Sequence, residues 1–282
     1  MGKICLLVLH GIGVQKNGYA DEFVESVRRE FEALTGQAGA FFSESCLYAD
    51  ILDSLETSLW ERFVGGKTQL RYQETRKFVV SYLADALIYQ PLPNDRSPYT
   101  DIHREVIRSI RRLAEKAGPG AVLCIAAHSL GSVIMSNFLW DATVKPELLI
   151  RCEELRSEMT PQTWDLIDST SYVWTFGSPL ALWSARFKEP KAIKVPGKKA
   201  NYLRTGGWRN LVDPDDILAY PLSGIGQSRE YIRDIEMEVG NLLTGWNPGS
   251  HVGYWRSKML LNMIAHDASE VWRQSQSVQN IG

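Results

Sequence analysis

Residues 124–132 read CIAAHSLGS, and they set one serine, Ser129, between an apolar run and a helix-like stretch. A neutral serine hydroxyl is a weak nucleophile. Chemistry here needs a base within hydrogen-bond reach, an acid to orient that base, and N–H donors for a developing oxyanion. The neighbours suit a sharp strand-to-helix reversal, in which the nucleophile takes a strained backbone and bulk two positions to either side would collide. Ala127 and Gly131 are both small. The competing reading is a serine that only caps the helix starting at Leu130.

The donors are expected from LHGIG, residues 9–13, where Gly11 and Gly13 let a backbone loop approach a ligand closely. The N–H of Ile12 and the N–H of Leu130 would then form the oxyanion hole. A Gly-rich loop after a first strand also binds phosphates, but this spacing fits neither a dinucleotide fingerprint nor a P-loop. Of five histidines, His103 and His266 fall within helical patterns, and His10 and His128 sit beside the two motifs as loop stabilisers. His251 stands in NPGSHVGYW, read as a Gly/Pro/Ser loop just before the last helix, and is the expected base. The acid is expected from LVDPDDILAYPL, which offers Asp213, Asp215 and Asp216. Three such carboxylates also suit plain turn chemistry or a divalent metal, although no matching cluster lies nearby in the sequence. Chain order favours the triad, because serine, aspartate, then histidine is the order of the α/β-hydrolase arrangement.

These side chains must be held by a core, and 282 residues with 44% apolar content can bury a large one. Basic and acidic residues number 31 and 33, a net charge of −2, so no overall field favours nucleic acid or a membrane surface. Cys5, Cys46, Cys124 and Cys152 are widely spaced, which suits reduced thiols and a cytoplasmic protein better than a disulfide or zinc framework. The run Ile4 to Leu9 is too short for a signal peptide or a membrane span and reads as a buried strand. No transmembrane segment is expected, and peripheral membrane contact stays open.

Apolar residues at 20, 23, 27, 31 and 34 predict a helix stopped by Gly36. Helices are predicted over 51–64 and 72–90, and again from Ile102 to Ala117, the last with an Arg-rich outer face. Residues 121–127 read as a strand, 130–142 as a helix, 145–169 as a helical excursion, and 171–176 and 209–212 as strands. Residues 252–272 close the core as a helix, with a flexible polar tail from about 274 to 282. This alternation predicts βα units and a mainly parallel sheet. Trp183, Trp208, Trp246 and Trp255 are the aromatics expected either in the core or lining an acyl pocket. The stretch 185–204, with one acid against seven basic residues, is expected near the carboxyl edge, as a solvated loop or a flap drawing anionic esters.

HGIG, AHSLGS, TFGSPL, DDILAYPL and SHVGYW resemble, in order, the oxyanion loop, nucleophile elbow, post-elbow strand, acid loop and histidine loop of the lipase and esterase branch of the α/β-hydrolase superfamily. Ala127 stands where that elbow usually has its first glycine. FGSPL followed by DDILAYP is similar to class 3 lipases, in which the acid directly precedes an Ile/Val-x-x-x-Pro run, and this implies Asp216 with Asp213 as the alternative. Residues 41–118, 143–170 and 184–202 match no such pattern. The resemblance implies one α/β-hydrolase domain over 1–282, a mainly parallel sheet flanked by helices, and helical insertions at about 50–118 and 143–170. It further implies a serine hydrolase that cleaves a small-molecule or lipid-like carboxylic ester, with no cofactor and no metal. An acyltransferase on the same triad and a non-catalytic interaction module are the alternatives.

Overall fold

The computed structural model describes residues 2–11, 15–64, 71–90, 97–185, 187–191, 193–201, 203–226, 230–239 and 248–279. Its centre is a sheet of β1 (Lys3–Leu9), β2 (Phe41–Cys46), β3 (Ala121–His128), β4 (Tyr172–Phe176), β5 (Gly207–Val212) and β6 (Ile232–Glu236). The six strands lie in the order β2-β1-β3-β4-β5-β6, and every adjacent pair is parallel. Strands buried on both faces read as unbroken apolar runs. In β1 the even positions Ile4, Leu6 and Val8 join one core and the odd positions Cys5, Leu7 and Leu9 join the other.

Helices α1 (Asp21–Thr35) and α11 (Lys258–Gln279) cover the even face through Phe23, Val27, Phe31, Leu260 and Ile264. Thr35 ends α1 because Gly36 turns left-handed, φ 68°, and its N–H caps Glu32 O. The odd face is covered by α4 (Pro98–Ala117), α5 (Leu130–Thr143) and α8 (Pro161–Asp168). Thr160 caps α8 by accepting from the Thr163 N–H at 3.1 Å. Two further helices, α2 (Ala49–Val64) and α3 (Gln73–Ile88), precede α4; α6 (Glu147–Arg151) and α7 (Glu153–Arg156) follow α5; α9 (Leu180–Ser184) follows β4; and α10 (Pro248–Gly253) precedes α11. Each fully buried Leu, Ile or Val of these two cores contributes about 1.5–3 kcal/mol. The Arg-rich face of α4 is a set of ion pairs, with Arg104 on Glu154 and both Arg108 and Arg111 on Glu158. Among the described residues, no helix is long and apolar enough to cross a membrane.

The structure departs from the sequence expectations in several places. β2 and β6 are edge strands, FFSESC and IRDIE, whose outer sides meet solvent and therefore carry polar residues that hide the strand pattern. Of the expected insertion 50–118, α4 is a covering helix of the sheet. The polar C-terminus is helical as far as Gln279, because Val271 and Ser275 are buried against the body. The stretch 185–204 does not stay at the carboxyl edge. Gly197 N–H donates to Thr170 O and Lys199 N–H to Asp168 O, so its second half lies at the amino edge, before β4. It must return there, since β5 runs parallel to β4 and starts beside Ser171. Ile193 and Val195 are buried along it, which makes the segment an anchored crossover and not a flap.

Candidate active site

Parallel register brings every motif to one edge of the sheet. Leu9 stands opposite Ala127, His128 opposite Phe176, and Phe176 opposite Leu211. The residues after each strand, His10 and Gly11, Ser129, Gly177 and Ser178, and the aspartates from 213, therefore emerge together. In open parallel sheets, ligands bind at this carboxyl edge, where the strand order reverses. Here the reversal falls between β1 and β3.

Ser129 sits at φ 49° and ψ −124°, a positive φ that L-residues other than glycine rarely hold, at a strain of about 1–3 kcal/mol. The bend is held by the Ser129 N–H donating to Phe176 O at 3.0 Å and by the Ser132 hydroxyl donating to Ser129 O at 2.6 Å. Ser129 occupies the N-cap position of α5, yet its side chain makes no capping bond. The hydroxyl is turned elsewhere. A Cβ at Gly131 would lie 2.4 Å from His10 O, and one at Gly11 would lie 2.7 Å from the Ser129 Cβ. Neither position tolerates a side chain unless the backbone shifts, and the loop after β1 is thus pressed against the elbow.

The Ser129 hydroxyl lies 2.7 Å from His251 Nε2, and His251 Nδ1 lies 2.9 Å and 3.1 Å from the two carboxylate oxygens of Asp216. With Nδ1–H donating to Asp216, Nε2 is left as the acceptor of the serine proton. Serine, histidine and aspartate are 0%, 5% and 3% exposed, so the pairs act in a poorly screened setting. His251 comes from α10 and not from the loop expected before the last helix. The helix passes close to its support: a Cβ at Gly253 would lie 2.7 Å from Val239 O.

Asp213 and Asp215 do not reach the histidine ring by any hydrogen bond among the described residues. Asp213 is buried and accepts from the Asp215 N–H at 2.9 Å and the Val239 N–H at 2.8 Å, while its own N–H donates to the Tyr254 hydroxyl at 2.9 Å. It braces the turn on which Asp216 sits. Tyr254 stands near both aspartates, and burial, then the charge of Asp216, pushes its phenol well up, so it stays protonated as a donor.

The other histidines are structural. His10 is buried, its Nδ1–H donating to Gly11 O at 2.7 Å while Nε2 accepts from the Tyr48 N–H at 3.3 Å, and burial pulls its pKa down to about 4. His128 donates from Nε2 to the main-chain oxygen of His251 at 2.7 Å, with its ring 4.8 Å from the His251 ring. Burial first, then repulsion from His251, keeps His128 far below the usual histidine range. His103 is buried in a helix, and His266 is exposed on one.

Several supports carry no motif of their own. Ser178 shares a 2.6 Å hydrogen bond with Ser132 and ties the elbow to the strand beside it. Asn210 donates to Tyr220 O at 3.0 Å and to Asp234 at 2.8 Å, and Asp234 accepts from the N–H groups of Leu222 and Ser223 at 2.9 Å. Burial raises the Asp234 carboxyl, but these donors outweigh it and hold the group below the usual carboxylate range. This ladder fixes the far end of the acid loop. Ser178 was visible inside TFGSPL, whereas Asn210 and Asp234 have no signal in one sequence, because pairing across β5 and β6 creates their role.

Leu130 is the first residue of α5, and its N–H has no intrahelical acceptor. Ile12 and Trp246 lie outside the described residues. Trp255 packs edge-on against Phe23 and Phe176 on the α1 side of the sheet, with its ring 5.4 Å from that of His128. Trp183 and Trp208 line a cavity on the other side, considered below. No group of metal-ligating side chains occurs among the described residues. Comparison with protein-family models and with curated proteins returned no match to this chain, so the chemistry of the site rests on its own geometry.

Proposed function

We propose that this protein is a serine hydrolase of carboxylic esters on an α/β-hydrolase fold, with Ser129 as nucleophile, His251 as base and Asp216 as the acid that orients it. One observation carries the reading. A strained, buried serine is aimed at a histidine nitrogen 2.7 Å away, whose other nitrogen is held by a carboxylate at 2.9 Å. A serine kept at positive φ without a capping role is unfavourable for the fold alone, and strain of this kind is characteristic of a nucleophile elbow.

In the proposed cycle, Ser129 Oγ bonds to the ester carbonyl carbon while its proton passes to His251 Nε2. Asp216 keeps the Nδ1–H tautomer and stabilises the imidazolium. The carbonyl oxygen becomes an oxyanion facing the Leu130 N–H, with Ile12 of the loop after β1 supplying the second donor. Collapse breaks the bond to the alcohol, which leaves with the proton from His251. Water then attacks the acyl-enzyme, gives its proton to His251, and the acid departs as Ser129 recovers its hydrogen.

The test is turnover of p-nitrophenyl acetate and butyrate by the purified chain, alongside Ser129→Ala and His251→Ala. The proposal expects hydrolysis well above the buffer rate in the wild type and none in either variant. Equal rates in all three would overturn it.

A further inference from the structure

On the odd face of the sheet, against α5, lies a cavity of about 590 Å³, within the span of about 300–1,000 Å³ usual for small-molecule sites. Ser129, His251 and Asp216 do not line it. Its walls are mainly apolar, with the indoles of Trp140, Trp183 and Trp208, and the mouth carries Leu148 and Phe187, which are 44% and 54% exposed. Such side chains at a cavity mouth are an apolar surface open to a ligand.

A carboxylate lines this apolar space. Asp141, on α5, is only 7% exposed. Its Oδ2 accepts from the Tyr99 hydroxyl at 2.7 Å, and the next group is His103 Nδ1 at 3.7 Å from the same oxygen. His103 is no counter-ion, because burial keeps its ring neutral, with a pKa near 3. Oδ1 meets no donor among the described residues. Lys145, just past the end of α5, is exposed and forms no ion pair with Asp141 among the described residues, although its charge draws the carboxyl down. Burial lifts the Asp141 carboxyl to about 6 despite Tyr99 and Lys145, so at neutral pH the group is still mostly ionised. That oxygen is not sealed from solvent, so it is open to a donor entering from the cavity, and a charge-assisted hydrogen bond there would be a strong one.

We propose that this cavity is a second ligand site, separate from the triad, for an apolar molecule that carries a protonated amine, with the ammonium on Asp141 and the apolar body against the indole walls. An ammonium supplies both a donor to the unbonded oxygen and a positive charge in contact with it, and indole faces attract cations. A hydroxyl supplies the donor without the charge. A carboxylate ligand would place two anions together. Lys145, Lys191 and Glu189 at the mouth are exposed, and solvent screens them. The site does not depend on ester hydrolysis, and its test is a binding measurement.

Calorimetric titration of the full chain at neutral pH with n-octylamine, n-octanol and octanoate keeps the apolar body constant and changes only the head. The amine is expected to bind about tenfold or more tightly than octanoate, with octanol between them. Asp141→Asn should weaken the amine by about tenfold while moving octanol by less than about threefold. Ser184→Trp, at a half-buried wall position, should weaken amine and alcohol together, and Ser129→Ala should change neither. Octanoate binding as tightly as the amine, or amine affinity untouched by either Asp141→Asn or Ser184→Trp, would overturn the proposal. Should Asp141→Asn fail to fold, the ranking of heads and the Ser184→Trp result still decide it. Loss of amine binding in Ser129→Ala would place the ligand in the triad site and overturn the claim of a second one.

Discussion

Asp216 and Asp213 are three residues apart and both buried, but their hydrogen bonds assign them opposite phenotypes. Asp216→Asn keeps an oxygen able to accept the Leu218 N–H, which Asp216 Oδ1 now holds at 3.0 Å, so the fold should lose less than about 1 kcal/mol. Its amide cannot hold the Nδ1–H tautomer as a carboxylate does, and the serine-protease precedent sets the fall in kcat at about 10⁴-fold, or about 5.4 kcal/mol of barrier. Asp213→Asn does the reverse. Both oxygens of Asp213 accept main-chain N–H groups, from Asp215 and Val239, at 2.9 and 2.8 Å. An amide must turn its NH2 toward one of them, leaving a buried donor unmet at about 1–3 kcal/mol, while kcat changes by less than about tenfold. Urea unfolding and ester kinetics on both variants give the four values. A folded Asp213→Asn with the larger loss of kcat, or an Asp216→Asn that keeps wild-type turnover, would refute the assignment.

Gly131→Ala should reduce stability by about 1–3 kcal/mol in urea unfolding and lower ester turnover, because the added methyl meets His10 O at 2.4 Å and must push the elbow from the loop after β1. Unchanged stability would show that the elbow has slack. His103, held neutral by burial with a pKa near 3, leaves the unfolded chain binding more protons between about pH 3 and 6.5, so stability is lost as pH falls through that window. Its share between pH 6.5 and 4.5 is about 2–3 kcal/mol, and the drop in unfolding free energy over that range should shrink in His103→Gln. Asp141 has the opposite sign. Burial raises its carboxyl to about 6, so the native state binds the extra proton between about pH 3.8 and 6, and stability falls as pH rises through that window. Ligand-free Asp141→Asn should therefore be more stable than wild type at pH 7.5 by about 1–3 kcal/mol, with the gain absent at pH 3.5.

Strands buried on both faces were legible because burial leaves them few polar residues: residues 4–9 and 121–127 are unbroken apolar runs, and β4 is interrupted only by Thr175. β2 and β6 were not, since an edge strand keeps one side in water and FFSESC or IRDIE looks like ordinary surface. The side chains of the site could be nominated because each needs a special local backbone, such as the small residues at 127 and 131 around Ser129. Choosing Asp216 over Asp213 by residue type alone was impossible, as both are turn aspartates and only the hydrogen-bond partners separate them. The basic stretch 185–204, read as a solvated loop or a flap, was placed at the carboxyl edge because it follows β4, whereas the requirement to begin a parallel strand at the amino edge decides where its second half must go. Asp141 lay inside a helix pattern, and only tertiary packing reveals that it lines an apolar cavity.

The central claim, that Ser129 is an activated nucleophile, is tested most directly by a fluorophosphonate probe, since phosphonylation requires the base and the oxyanion donors together. Mass spectrometry of the labelled chain should find one adduct, on Ser129, abolished in Ser129→Ala and strongly slowed in His251→Ala. A folded wild-type chain that takes up no probe, or labelling that persists in Ser129→Ala, would contradict it.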